Sequence, residues 1–192
     1  EEERWGSVRG SYYLSEAIGS GISLMDLVRS GASFPFEELV KTVRRFHDAG
    51  LFHKDLHAGN FLWDGQSLFL IDLHSTKMTR TLSLNQRLWN LSHLFHSLRS
   101  KWEEKDEIQF VNQYFVGEQV SHYQKGEFLE KIHGWMDRLQ RRQWKSRTKR
   151  CIKESTEFGI QKERGVRYYH RRDFSLAYLK GAIEEHLSMA RE

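Results

Sequence analysis

The sequence predicts an α+β fold that is mainly α, and three observations carry the prediction. Leu84, Leu88, Leu91, Leu94, Phe95 and Leu98 recur at helical spacing, and Phe36, Leu39, Val40, Val43 and Phe46 do the same behind Pro35. Between these runs, Phe61-Leu62-Trp63 and Leu68-Phe69-Leu70-Ile71 flank Asp64-Gly65-Gln66-Ser67. An Asp-Gly turn between two short runs of strand formers is a strong hairpin signal.

The remaining elements follow in chain order. Tyr12 to Ile18 alternates in polarity ahead of Gly19-Ser20-Gly21, which predicts a strand and a turn. Ser23 to Val28 predicts a short helix closed by Ser30-Gly31. The helix behind Pro35 carries Lys41, Arg44 and Arg45 on its other side and stops at Gly50. Ser75 to Ser83 is polar and predicts a loop, and the run from Leu82 to Leu98 gives the strongest helix signal. Two more helices are expected over Asp106–Phe115 and Glu127–Leu139. Their apolar positions, Ile108, Phe110, Val111 and Tyr114, then Phe128, Leu129, Ile132, Trp135, Met136 and Leu139, read as packing stripes. Residues 157–161 and 166–170 around Lys162-Glu163-Arg164-Gly165 predict a hairpin, with a helix from about Ser175 to Met189 after it. The sequence has no internal repeat and no low-complexity segment.

Composition narrows the class. The 192 residues suffice for one domain, or one plus an appendage, and 39% hydrophobic with 29% charged residues describes a soluble protein. Cys151 is the one cysteine, so no internal disulfide is available and a reducing compartment is expected. No apolar run has the length of a membrane span, and no leader pattern opens the chain. The start, Glu1-Glu2-Glu3-Arg4, lacks a methionine and is read as lying inside a longer reading frame.

The chemistry concentrates in residues 53 to 72. His53-Lys54-Asp55-Leu56-His57-Ala58-Gly59-Asn60 leads into the hairpin, whose second strand ends at Asp72. Transfer of a γ-phosphoryl group rests on positioning and charge neutralisation, with one carboxylate to take the acceptor proton and oxygen ligands to hold magnesium. In the kinase arrangement the first Asp is the base, while the Asn and the later Asp bind metal. Asp55, Asn60 and Asp72 have that order, and the hairpin brings Asp72 back beside Asn60. His53 and His57 stand four apart and resemble a zinc pair on a helix. Gly59-Asn60 disfavours a helix there, however, the glutamate expected beside the first His is absent, and no third ligand is evident.

These residues resemble the kinase-like phosphotransferases. Asp-Leu-His-x-Gly-Asn is similar to the small-molecule kinases of the aminoglycoside-phosphotransferase type, and with Asp72-Leu73-His74 the chain most resembles the lipopolysaccharide core kinases of heptose and Kdo type. The resemblance spans roughly residues 10 to 100. It implies a protein-kinase-like large (C-terminal) lobe with a hinge strand and a catalytic β-hairpin, the small lobe mostly missing. No Gly-x-Gly-x-x-Gly and no strand lysine precede the hinge, so the fragment alone is expected to be inactive. The resemblance makes Asp55, His57 and Asn60 catalytic, assigns cofactor binding to Glu16, Ala17, Asn60 and Asp72, and assigns metal binding to Asn60 and Asp72. ATP and Mg2+ are the implied cofactors. His53 takes the place of the residue that braces the catalytic loop. Asn90, in Arg87-Leu88-Trp89-Asn90-Leu91, stands where the family carries an aspartate that anchors the loop backbone; the amide accepts a hydrogen bond but brings no charge. His93 and His96 read as partly buried polar neighbours.

From Arg138 to Arg150 the composition turns basic. Arg138, Arg141, Arg142, Lys145, Arg147, Lys149 and Arg150 accompany Trp144 with no acid among them. Such a run attracts polyanions, and with the resemblance to lipopolysaccharide kinases the expected partner is a glycolipid or an anionic membrane surface, met peripherally. A solvated helix face is the plain alternative, and nucleic acid is disfavoured because the net charge is only +4 and no reader motif is present. The expected organisation is therefore 1–22 as the end of the small lobe and hinge, 23–140 as the large lobe, and 141–192 as a basic segment plus a hairpin and helix. The expected function is ATP-dependent phosphorylation of a sugar hydroxyl in lipopolysaccharide core, in the cytoplasm and peripherally on the inner membrane, with a sugar or glycolipid acceptor. A catalytically silent pseudokinase or scaffold, an aminoglycoside-type kinase and a protein kinase are the alternatives.

Overall fold

The structure, a computed structural model, describes residues 2–4, 7–10, 21–163, 165–175, 177–178 and 180–183. The strand expected over Tyr12–Ile18, with Glu16 and Ala17, lies outside the described residues, as does the end of the C-terminal helix beyond residue 183. Helix outweighs strand, as the sequence predicts, in a mixed α/β arrangement.

Strands β1 (Glu2–Arg4) and β2 (Ser7–Gly10) pair antiparallel. Strand β3 (Ile22–Ser23) runs into helix α1 (Leu24–Ser30). Ser23 caps that helix by accepting from the Asp26 N–H at 3.1 Å, and Gly31 ends it at φ 70°, a conformation a Cβ disfavours. Helix α2 (Phe36–Asp48) starts on Pro35 and buries Leu39, Val40 and Val43 as its periodicity requires.

Gly50, at φ 77°, turns the chain into strand β4 (Leu51–His53). Strands β5 (Phe61–Trp63) and β6 (Leu68–Leu70) form the expected hairpin, with Phe61 opposite Leu70 and Trp63 opposite Leu68, and β3 joins it on the β5 side. Asp64 fixes the turn by accepting from the Gln66 and Ser67 N–H groups at 2.8 and 2.7 Å. The loop expected over Ser75–Ser83 is corrected in part. Thr76–Met78 forms strand β7, antiparallel to β4 with Phe52 opposite Lys77. Its side chains are half-buried or exposed, so no apolar alternation marks it in the sequence.

Helix α3 (Leu84–Leu98) opens on a capping box between Ser83 and Gln86, and helix α4 (Glu104–Tyr114) on one between Glu103 and Asp106. Helix α5 (His122–Cys151) extends well beyond the expected Glu127–Leu139 at both ends. Its apolar stripe stops at Leu139, but the Arg, Lys and Gln residues that follow are good helix formers, so the helix continues without a buried face to announce it.

The chain divides into two compact units, Glu1–Met136 and Asp137–Glu192. In the first, Leu24, Leu39, Phe61, Leu91, Phe95, Phe110, Tyr114 and Ile132 are among the buried core residues. Phe95 meets Phe110 and Trp102 edge-on, with centroids 5.1 and 5.3 Å apart. The second unit holds the predicted hairpin, β8 (Phe158–Glu163) with β9 (Val166–Arg171), turned at Gly165, φ 83°.

One polar network in the first unit has a measurable consequence. The Arg87 guanidinium donates to the Tyr114 hydroxyl at 2.9 Å, and that hydroxyl lies 2.7 Å from Nδ1 of the buried His47. Burial first, and the Arg87 charge second, lower the His47 pKa from 6.5 to about 4. The unfolded chain therefore binds a proton below pH 6.5 that the folded ring refuses until about pH 4. The stability this ring contributes is complete above pH 6.5 and is lost on acidification at about 1.4 kcal/mol per pH unit through that window. Denaturant titrations between pH 7.5 and 4.5 should show this slope. His47→Asn, which keeps an acceptor for Tyr114 but no titrating ring, should flatten it.

Candidate functional site

The site is a loop held between β4 and the hairpin. His53, at the end of β4, is fully buried and joins its two sides. Its Nδ1 accepts from the Asp55 N–H at 3.1 Å, which places the ring proton on Nε2, and Nε2 donates to the Asp72 carbonyl at 3.2 Å. One imidazole thus ties the loop carrying Asp55 to Asp72, two residues beyond the end of β6. The Asn60 side-chain amide closes the loop from within by donating to the Asp55 carbonyl at 2.9 Å. The hairpin is coupled in as well, because the Ile71 N–H donates to the Asn60 carbonyl at 2.9 Å.

Helix α3 supports this loop along one face. Trp89 Nε1 donates to the Lys54 carbonyl at 2.7 Å, and Ser97 Oγ accepts from the Ala58 N–H at 2.9 Å. Asn90, fully buried, accepts from the His53 N–H at 3.5 Å and donates to the His53 carbonyl. An aspartate could only accept there. The amide replaces the charge with a second backbone hydrogen bond.

Asp72 adopts φ 62°, ψ 44°, and is the one non-glycine residue in the left-handed region among the described residues. That conformation costs roughly 1–2 kcal/mol in a side-chain-bearing residue and is least unfavourable for Asp and Asn. The bond from His53 to its carbonyl offsets part of the cost. One Asp72 carboxylate oxygen pairs with His74 Nδ1, and the side chain is about one-third exposed.

The Asp55 carboxylate faces outward with 58% of its side chain exposed. Oδ1 lies 3.1 Å from His93 Nδ1, and Oδ2 lies 3.8 Å from His57 Nε2, beyond hydrogen-bond range. His57 Nδ1 accepts from the Gly59 N–H at 3.0 Å, so its Nε2–H points toward Asp55. A Cβ at Gly59 would stand 2.9 Å from the His57 ring, which is why the loop carries glycine there. His93 sits on helix α3 with its ring tilted against Trp89, centroids 4.8 Å apart. Burial holds its pKa below the usual histidine value, partly opposed by Asp55.

Of the residues singled out from sequence, Asp55, His57, Asn60 and Asp72 are brought together, while Glu16 and Ala17 lie outside the described residues. His93, read from sequence as a partly buried polar neighbour, is partly buried, and its bond to Asp55 is a contact that the sequence reading did not name. Its sequence signal was the spacing Asn90, His93, Ser97, which puts it on the loop-facing side of α3. The cavity of about 240 Å³ that includes Ile108, Val111, His122, Leu129 and His133 in its lining holds none of the site residues.

The donor set fits a hard divalent cation. With its amide nitrogen committed to the Asp55 carbonyl, Asn60 leaves its oxygen free, and Asp72 adds a carboxylate. Among the described residues no cluster of three His, Cys, Asp or Glu side chains could hold a metal alone. Two oxygen ligands suit Mg2+, which takes its other ligands from phosphates and water.

The lipopolysaccharide kinase (Kdo/WaaP) family matches residues 5–114, more than half the chain and the span that contains the whole site. A curated protein of Methanocorpusculum labreanum, a probable bifunctional tRNA threonylcarbamoyladenosine biosynthesis protein, is 33% identical over 75 residues, which are 38% of this chain and 14% of that protein. The solved structure of WaaP in complex with acyl carrier protein aligns with a TM-score of 0.50 at 21% identity, over 62% of this chain and 56% of that one. The chain thus spans a seventh of the curated relative and little more than half of the solved one. The structural likeness bears on fold alone, and that fold is kinase-like.

Proposed function

Because this chain belongs to the lipopolysaccharide kinase (Kdo/WaaP) family, we propose that it carries the catalytic loop of an ATP-dependent phosphotransferase acting on a sugar hydroxyl of lipopolysaccharide core. The observation that carries the proposal is the single hydrogen-bonded unit in which His53 joins Asp55 to Asp72 and Asn60 closes the loop. A base and two oxygen ligands held in fixed relation are what this chemistry requires.

In this reading Asp55 receives the acceptor proton through Oδ2, the oxygen without a hydrogen-bond partner among the described residues, and its exposure lets an acceptor approach from outside. Asn60 and Asp72 hold Mg2+ with the nucleotide phosphates, which neutralises charge as the phosphoryl group moves. His57 stands beside Asp55 and presents an N–H toward developing charge. Glu16 and Ala17 would offer backbone groups to adenine as the hinge, and residues 23–140 would form the large lobe.

The acceptor class fits the basic end of α5. Arg138, Arg142, Lys145 and Lys149 fall on one stripe of that helix, and residues 143–150 are exposed. Near an anionic bilayer each such residue contributes about 1 kcal/mol, enough in sum to place the protein peripherally on the cytoplasmic face of the inner membrane. Among the described residues no helix is long and apolar enough to cross a membrane.

Magnesium dependence of ATP turnover tests the ligand assignment. In the full-length protein, with lipopolysaccharide core oligosaccharide as acceptor, Asp72→Asn should raise the Mg2+ concentration needed for half-maximal turnover by roughly 10- to 100-fold, since second-sphere changes alone reach that range. An unaltered magnesium requirement would count against Asp72 as a ligand.

A further inference from the structure

We infer that His93 is a positioning residue for phosphoryl transfer, its Nδ1–H holding Oδ1 of Asp55 so that Oδ2 is presented to the acceptor hydroxyl. The inference rests on the assignment of Asp55 as base and adds a residue from a different element.

The geometry selects one arrangement of the ring. His93 Nδ1 is 3.1 Å from Asp55 Oδ1, while Nε2 is buried and has no hydrogen-bond partner among the described residues. A proton on Nε2 would leave a buried donor unpaired, at a cost of about 1–3 kcal/mol. A proton on Nδ1 meets a carboxylate in a charge-assisted bond. The proton therefore sits on Nδ1, and the groups around the ring keep it neutral: burial opposes a second proton, His57 and His96 disfavour charge there, and Asp55 alone favours it.

The ring cannot turn freely. It packs on Trp89 with the rings tilted by 34° and their centroids 4.8 Å apart, Trp89 is bonded to the Lys54 carbonyl at 2.7 Å, and Trp135 packs edge-on against Trp89 at 5.7 Å. The same indole thus fixes both the loop backbone and the imidazole that grips the base. An exposed carboxylate otherwise rotates about its side-chain bonds, and a displacement near 1 Å at a reacting group can cost about 10²-fold in rate. In the step itself, the acceptor hydroxyl loses its proton to Asp55 Oδ2 as its oxygen bonds the γ-phosphorus. The bond from that phosphorus to the β,γ-bridging oxygen breaks, and ADP leaves with the electron pair. His93 transfers no proton.

The test compares His93→Leu, which removes the donor, with His93→Asn, whose amide nitrogen occupies nearly the Nδ1 position. In the full-length protein, with core oligosaccharide and Mg·ATP, His93→Leu should lower kcat by roughly 10- to 100-fold with Mg·ATP affinity and melting temperature unchanged, and His93→Asn should restore most of the loss. Equal losses in both variants, or none in either, overturn the inference. Nitrogen NMR of the His93 ring supplies a readout that needs no turnover. At pH 7 Nδ1 should carry the proton, with a resonance that shifts in Asp55→Asn; a proton on Nε2 overturns the inference. Asp55→Ala separates the two levels. Inactive Asp55→Ala beside fully active His93→Leu rejects His93 alone, whereas fully active Asp55→Ala rejects the base assignment beneath it.

Discussion

In the full-length protein, alanine at position 55 should lower phosphoryl transfer by about 10²- to 10⁴-fold, the range a positioned general base supplies, and leave the fold standing. The second half follows from where the side chain is. It is 58% exposed, and its carboxylate meets only His93 and His57 among the described residues. The bonds that shape the loop use the Asp55 backbone, whose N–H donates to His53 and whose carbonyl accepts from Asn60. Alanine keeps both. Stability should shift by about 1 kcal/mol, the scale of the one hydrogen bond lost to His93. Mg·ATP affinity should persist, because Asn60 and Asp72 are untouched. Steady-state turnover, a nucleotide titration and a thermal melt on the same preparation check all three parts, and retained turnover would reject Asp55 as base.

Gly50→Ala acts on the fold with comparable force. Gly50 sits at φ 77°, and a Cβ there would lie 1.8 Å from the Thr79 carbonyl oxygen, a backbone atom that no side-chain rotation can move. The Gly50 carbonyl also accepts from the Thr79 N–H at 2.9 Å and from its hydroxyl at 3.0 Å, so the two segments cannot separate without losing both bonds. Left-handed strain of about 1–2 kcal/mol adds to the clash, for a total loss of roughly 3–5 kcal/mol. The damage should reach the site, because Gly50 leads directly into β4 and thus into His53. Equilibrium denaturation should show the loss. A variant as stable as the parent would mean that β4 and β7 do not pack as described.

The sequence was most legible where the physics is local. Ser30-Gly31 marks the end of α1 because its cap is made within a turn, and Asp64-Gly65 marks its hairpin for the same reason. The trio of Asp55, Asn60 and Asp72 was visible because one loop and one hairpin carry all three. Strand β7 was hidden because its pairing with β4 satisfies the backbone while its side chains stay polar or exposed. The length of α5 was hidden because its C-terminal half has helix-forming residues but no buried stripe. The bond from His93 to Asp55 was not legible because it exists only after α3 packs across the loop, and Asn90 was read as an acceptor alone although it also donates to the same residue.

The central claim is that Asn60 and Asp72 share a divalent cation beside Asp55. Anomalous diffraction from crystals of the protein grown with Mn2+ and a non-hydrolysable ATP analogue tests it most directly. The account expects a metal peak about 2 Å from the Asn60 side-chain oxygen and from an Asp72 carboxylate oxygen, bridged to the nucleotide phosphates. Nucleotide bound with its metal on other side chains, or a metal peak remote from both residues, contradicts it.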